Sequence, residues 1–196
     1  MTQHAPVLIV LLPLTASLLC MLFSRISKNL GSWIVMASIA GAFANACIVL
    51  QRVLESGGKT WHYWMGGWEP PIGIEFALDP LNSILAVVVT FISLMVSLYS
   101  RPFVKDEDWL HVGGYYTLFG LLTVGLSGMI ITGDVFNLYV YLEIMSLSGY
   151  GLIALGGRKS MLAAFRYLLI GTIGASLYLL GVGSVSYTHL RAHETD

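Results

Sequence analysis

Glu143 is the residue in this sequence best placed to do chemistry. It lies in a run of apolar residues, 135–155, about 12 Å from the start of that run at 1.5 Å per helical residue. Tyr139, Ser146 and Tyr150 stand at i−4, i+3 and i+7, on the same face of a helix. A carboxyl group flanked by three hydroxyls on one stripe can hold water or relay protons. Desolvation opposes the charged form of a carboxyl and a nearby cation favours it, so a group held between the two can exchange protons. An ionisable side chain inside an apolar helix costs several kcal/mol and usually faces a bundle interior or a wet cavity on an ion or proton path. Asn137 and Ser148 are polar but off the stripe; Asn137 lies near the outer interface, and helix packing accounts for it.

Helices long enough to cross a bilayer must position that stripe. Hydrophobic residues make up 56% of the 196-residue chain and charged residues 11%, which excludes a soluble domain of this length. Mean hydropathy is +0.76. Six stretches approach the roughly 20 apolar residues a spanning helix needs: 6–23, 31–50, 80–99, 113–132, 135–155 and 168–183. They lack the alternating polarity of a membrane β-barrel, and lipid offers no partner to unpaired backbone groups, so helices are required. The fold class expected is all-α, a polytopic membrane protein of about six transmembrane helices. Glu143 is the one charged side chain well inside any of them.

Loop charge sets the orientation. Arg25, Lys28, Arg101, Lys105, Arg158, Lys159 and Arg166 follow spans one, three and five, whereas the opposite loops hold Arg52 and Lys59. The excess marks the cytoplasmic side and places the N-terminus outside. Met1-Thr2-Gln3-His4 lacks a basic leader, so the first stretch reads as a permanent span rather than a signal peptide. Small residues at four-residue spacing, Ser38, Ala42 and Ala46 in span two and Gly171 and Ala175 in span six, suit close helix packing. The segment between spans two and three carries Trp61, Tyr63, Trp64 and Trp68 around Gly66-Gly67 and is expected to lie along the headgroup interface. Asp79-Pro80 and Asp134 read as helix starts, each carboxylate serving as N-cap.

Other chemistries find no support. Cys20 and Cys47 sit in apolar runs without ligand or disulfide spacing, His4 and His62 have no partners at metal-ligand spacing, and His111 with Asp106, Glu107 and Asp108 reads as a solvated cytoplasmic loop rather than a metal site. Gly149-Tyr150-Gly151-Leu152-Ile153-Ala154 matches a loose dinucleotide fingerprint but falls inside a span with no preceding strand. A net charge of −1 gives no reason to expect nucleic acid. No cofactor or metal is expected.

Three motifs carry a resemblance. Gly66-Gly67-Trp68-Glu69-Pro70-Pro71-Ile72-Gly73-Ile74-Glu75 with Asp79-Pro80-Leu81-Asn82 is the first. Thr132-Gly133-Asp134-Val135-Phe136-Asn137-Leu138-Tyr139-Val140-Tyr141-Leu142-Glu143 is the second. Phe165-Arg166-Tyr167-Leu168-Leu169-Ile170-Gly171-Thr172-Ile173-Gly174-Ala175 is the third. Together they resemble the D-type subunit of Mrp-type monovalent cation/proton antiporters, within a superfamily shared with antiporter-like subunits of respiratory complex I and membrane hydrogenases.

The resemblance runs from the start to about residue 183. It implies the N-terminal portion of a fold of about fourteen helices built on inverted repeats. It also implies a multi-pass protein of the bacterial or archaeal cell (inner) membrane, assembled with other subunits and exchanging protons for sodium or potassium. Glu143 matches the family's functional glutamate, which in relatives pairs with a lysine two helices further on. The alternatives are a proton-pumping subunit of a quinone-reducing or hydrogenase complex, and an inactive membrane fragment. Residues 1–183 form the transmembrane region. Residues 184–196 turn abruptly polar where relatives continue an apolar helix, so this tail is expected to be non-native or truncated and not to continue the last helix.

Overall fold

The computed structural model describes residues 2–68 and 73–193, including their side chains except those of 2, 28 and 188–193. Glu69, Pro70, Pro71 and Ile72 of the first motif, and residues 194–196 of the tail, lie outside the described residues.

Six long helices run in chain order: α1 (Ala5–Ile26), α2 (Lys28–Glu55), α3 (Pro80–Val104), α4 (Trp109–Ile131), α5 (Val135–Ala154) and α6 (Arg158–His193). Five of them are long and apolar enough to cross a membrane; α5 is the exception. Its 20 residues give about 30 Å of helix, enough to span, but Asn137, Glu143 and its tyrosines lower its hydropathy. The stripe of Tyr139, Glu143, Ser146 and Tyr150 lies on this helix. The two turn residues after Thr132 make α5 run back along α4.

α4 is the hub. It packs on α1, α2, α3 and α5, and α6 reaches the bundle through α5. Glycines permit these approaches. A Cβ at Gly125 would sit 2.6 Å from the Met145 backbone nitrogen, and one at Gly128 would overlap the Tyr141 ring. α3 turns a stripe of Ser83, Ala86, Thr90, Ser93, Ser97 and Ser100 inward. Thr90 donates to the Ala86 carbonyl at 2.7 Å and Ser97 to that of Leu94 at 2.8 Å, so these hydroxyls are satisfied within their own helix. This small-residue face is more buried than the stripes expected on spans two and six. Ala42, Ala46 and Ala175 are buried as expected, while Ser38 and Gly171 are half-buried.

The wholly helical expectation needs one addition. The segment between α2 and α3 contains β1 (Trp61–Trp64) and β2 (Glu75–Leu78), paired antiparallel with Trp61 opposite Leu78 and Trp64 opposite Glu75. Burial alternates along β1, with Trp61 and Tyr63 half-buried and His62 and Trp64 exposed, as suits a half-buried strand. Phe76 and Leu78 are fully buried and join a core cluster with Ala5, Val49, Val53 and Ile131. The hairpin therefore caps one end of the bundle, with Trp64 and Trp68 exposed, rather than lying wholly along the surface. A second cluster, around Cys20, Val35, Tyr116 and Phe119, fills the opposite half.

Boundaries also shift. Arg158, Lys159 and Arg166, expected in a loop, belong to the first turns of α6, and Arg101 lies in the last turn of α3. The expected break near residue 184 does not occur, because α6 continues through His193. Residues 184–193 contain neither glycine nor proline, so local propensity gives no reason for the helix to stop there.

The charge bias remains a testable topology. Gly57 and Gly58 have φ of +76° and +78°, a region that penalises any side chain, so Thr60, exposed just before β1, is the better probe position. In a background lacking Cys20 and Cys47, an impermeant thiol reagent added outside is expected to modify Thr60→Cys and to spare Ser27→Cys. The opposite labelling would reverse the orientation.

Asp79 caps α3 as expected, its Oδ1 accepting from the Asn82 backbone N–H at 2.7 Å with Pro80 at the first position. Asp79→Ala is expected to cost about 0.5–2 kcal/mol, read as a lower melting temperature in detergent.

Candidate proton-handling site

α5 presents two faces to two neighbours. Asn137, Tyr141 and Ser148 are buried; Tyr141 meets α4 at Gly128, and Gly151 meets Leu118 of the same helix. Asn137 donates to Thr132 Oγ1 at 3.0 Å, and Ser148 donates to the Ile144 carbonyl at 2.6 Å. Both off-stripe polar residues are thus buried and hydrogen-bonded, which for Asn137 agrees with the packing role expected.

The other face carries the stripe and turns toward α6. Tyr139 stacks on Tyr178 of α6, ring centres 6.3 Å apart and nearly parallel. Tyr150 fits against Gly171, where a Cβ would overlap its hydroxyl, and meets Tyr167 edge-on at 5.2 Å. Glu143 sits between these two tyrosine contacts and is half-buried. The Tyr139 hydroxyl interacts with its carboxylate one turn away. Ser146 is half-buried on the same stripe. The structure therefore brings Tyr139 and Glu143 together, places Tyr150 against α6, and leaves Ser146 as a stripe neighbour.

One feature of the site was not visible in the sequence. A cavity of about 730 Å³ opens at the start of α5, lined among others by Glu75, Asp134, Val135, Phe136, Tyr178 and Val182. The hairpin is fastened there. The Gly133 N–H donates to the Glu75 carbonyl at 2.9 Å, and Phe76 bridges to Thr132. Asp134 caps α5, its Oδ1 accepting from the Phe136 N–H at 2.8 Å. Two histidines without partners at ligand spacing find them through the fold: His62 Nδ1 lies 2.5 Å from Glu75 Oε1, and His4 Nδ1 lies 2.9 Å from the Tyr63 hydroxyl. The pairing of β1 with β2 brings His62 to Glu75, and the N-terminal turn brings His4 to Tyr63 of β1, so spacing along the chain gave no sign of either contact. Among the described residues no group of three metal-ligating side chains is found.

A bundle of long apolar helices defines a polytopic membrane protein. The known proteins it is similar to are antiporter-like membrane subunits. Residues 64–112 match the family described as NADH-Ubiquinone oxidoreductase (complex I), chain 5 N-terminus. The chain is 45% identical over 183 residues to NADH-quinone oxidoreductase subunit N of Desulforudis audaxviator, covering 93% of this chain and 36% of that protein. It is 33% identical over 178 residues to the D-type subunit of the Na(+)/H(+) antiporter of Bacillus subtilis, covering 90% and 35%. Its fold matches a chain of the archaeal membrane-bound sulfane sulfur reductase, a respiratory membrane complex, with TM-score 0.83 and 31% identity over 92% of this chain and 36% of that one. The resemblance drawn from the three motifs is borne out, and it extends to both branches of the superfamily. The chain spans about a third of the length of these relatives.

Proposed function

We propose that this chain is the N-terminal part of an antiporter-like membrane subunit that moves protons through Glu143 in exchange for a monovalent cation, sodium or potassium. The observation that carries the reading is the position of Glu143. It is a carboxylate at mid-helix, half-buried, in contact with Tyr139 and set on the helix face that meets α6. A proton path is supported by continuity from the cavity inward. Glu75, Asp134 and Tyr178 line the cavity, and Tyr178 stacks on Tyr139, whose hydroxyl interacts with Glu143. The Tyr178 hydroxyl donates to the Val135 carbonyl at 3.3 Å, which holds the ring at the start of α5.

In this reading Glu143 is the proton carrier and Tyr139, Ser146 and Tyr150 are its polar supports. The lysine partner implied by the resemblance belongs to a helix beyond these six. The working unit is a hetero-oligomeric complex in the bacterial or archaeal cell membrane, and the subunit is a transporter rather than an enzyme in its own right. Residues 184–196 are proposed to depart from the native continuation, which a sequenced clone of the complete gene would check. Proton-coupled exchange by a Glu143→Gln variant is the direct test.

A second reading is favoured by the 45% identity to a quinone oxidoreductase subunit, against 33% to the antiporter subunit. The same carboxylate would then serve a redox-driven proton pump. Iron–sulfur subunit genes beside this one would select that reading, and genes for other Mrp subunits the first.

A further inference from the structure

We propose that a cavity between the start of α2 and the end of α3 binds the phosphate headgroup of an anionic phospholipid. The cavity measures about 480 Å³ and is lined by Asn29, Trp33, Met36, Leu98, Arg101, Pro102 and Lys105. It lies at the opposite end of the bundle from the hairpin and has no residue in common with the proton-handling site.

Charge is the first reason. Two cations line the cavity and no carboxylate is among its described lining residues. Neither Arg101 nor Lys105 forms an ion pair among the described residues. The Arg101 guanidinium lies over the Trp33 ring, 4.2 Å from its centre. Among the described residues the guanidinium makes this ring contact and no ion pair, so its N–H groups are available to donate. A fork of N–H donors matches two oxygens of a phosphate. Asn29 adds an amide from the first turn of α2, where Ser27 makes no side-chain cap bond. Donor capacity and the positive end of a 28-residue helix therefore meet the two cations at one place.

Position is the second reason, and it selects a lipid over a free anion. The cavity sits where two spanning helices end, the level of the headgroups. Tyr99 and Phe103 on α3 are 72% and 67% exposed beside it, the aromatic flank expected at a membrane interface. Its inner wall is Met36 and Leu98, apolar surface suited to the first carbons of an acyl chain. Basic pockets between spanning helices at this level are general binding sites for anionic headgroups.

The test uses the complete subunit in its membrane complex, delipidated in mild detergent and titrated with dioleoyl-phosphatidylglycerol while the melting temperature is followed. Dioleoyl-phosphatidylcholine and inorganic phosphate are the parallel arms. The wild type is expected to show a saturable rise with phosphatidylglycerol alone. Arg101→Gln/Lys105→Gln is expected to need about 10-fold more of that lipid for the same rise. Arg25→Gln, which removes a charge at the same end but outside the cavity, should titrate as the wild type does. Lys105→Gln alone, at an exposed position, should show a smaller shift in the same direction and covers the case in which the double variant does not assemble. Unchanged titration in the Lys105 and double variants would overturn the proposal. So would an equal loss in Arg25→Gln, which would mean general surface charge, or an equal rise with inorganic phosphate, which would mean a free-anion site.

Discussion

Glu143→Gln, placed in the complete subunit, is expected to abolish proton-coupled cation exchange while leaving the complex assembled. Glutamine keeps the volume of the side chain and its capacity to hydrogen-bond with Tyr139, but it cannot take up and release a proton. The helix loses nothing it needs for folding, because Glu143 is half-buried at the α6 face, whereas the α4–α5 contact is made by Tyr141 and Gly151. Glu143→Ala should give the same loss. Glu143→Asp retains the acid but withdraws it by one methylene, so partial activity is expected. The measurement is dissipation of a pH gradient in everted vesicles on adding sodium or potassium, normalised to the amount of complex. Asp134→Ala is the internal control. Its carboxylate caps α5, so its loss should cost about 0.5–2 kcal/mol of stability and lower abundance more than specific transport. Near-normal exchange by the glutamine variant would sink the carrier role and leave Glu143 a structural carboxylate.

Gly125→Val is expected to disrupt the bundle rather than the chemistry. A Cβ at Gly125 would lie 2.6 Å from the Met145 nitrogen and 2.8 Å from its Cα, so the obstacle is the backbone of α5 and not a side chain that can turn away. Overpacking of this kind costs about 1–3 kcal/mol, and a backbone clash belongs at the upper end. Because α5 carries Glu143 and links α6 to the rest, its displacement should reduce both the yield of folded subunit and its melting temperature in detergent. Gly149→Ala is the contrast. Nothing lies within 4 Å of a Cβ there, so it should be neutral or stabilise by up to about 1 kcal/mol through helix propensity. Equal stability of the two variants would show that α4 and α5 do not pack at the distance described.

What could be read from the sequence depended on the range of the interaction. Asp79 and Asp134 are legible as caps because the cap bond joins a side chain to a backbone N–H two or three residues on. The stripe of Tyr139, Glu143, Ser146 and Tyr150 is legible because helical periodicity alone aligns it. The end of α6 is not, since a change in polarity marks where a helix leaves the membrane and not where its hydrogen bonds stop. The β1–β2 hairpin is hidden because its strands are short, carry aromatic residues that also suit an interface, and gain their hydrogen bonds from partners more than ten residues away.

By itself, then, the sequence determined that this is a helical membrane protein with one carboxylate midway along a largely apolar helix, because hydropathy and helical period are local and lipid permits few backbone solutions. Only the tertiary structure decided which neighbour each face meets. It turned the Glu143 stripe toward α6 rather than α4, joined His62 to Glu75 across the hairpin, fastened Glu75 to Gly133 at the head of α5, and set Arg101 over Trp33. Each of these pairs residues from different elements, and their approach is set by where glycine and serine let the helices close, a property of the packed bundle that no single helix contains.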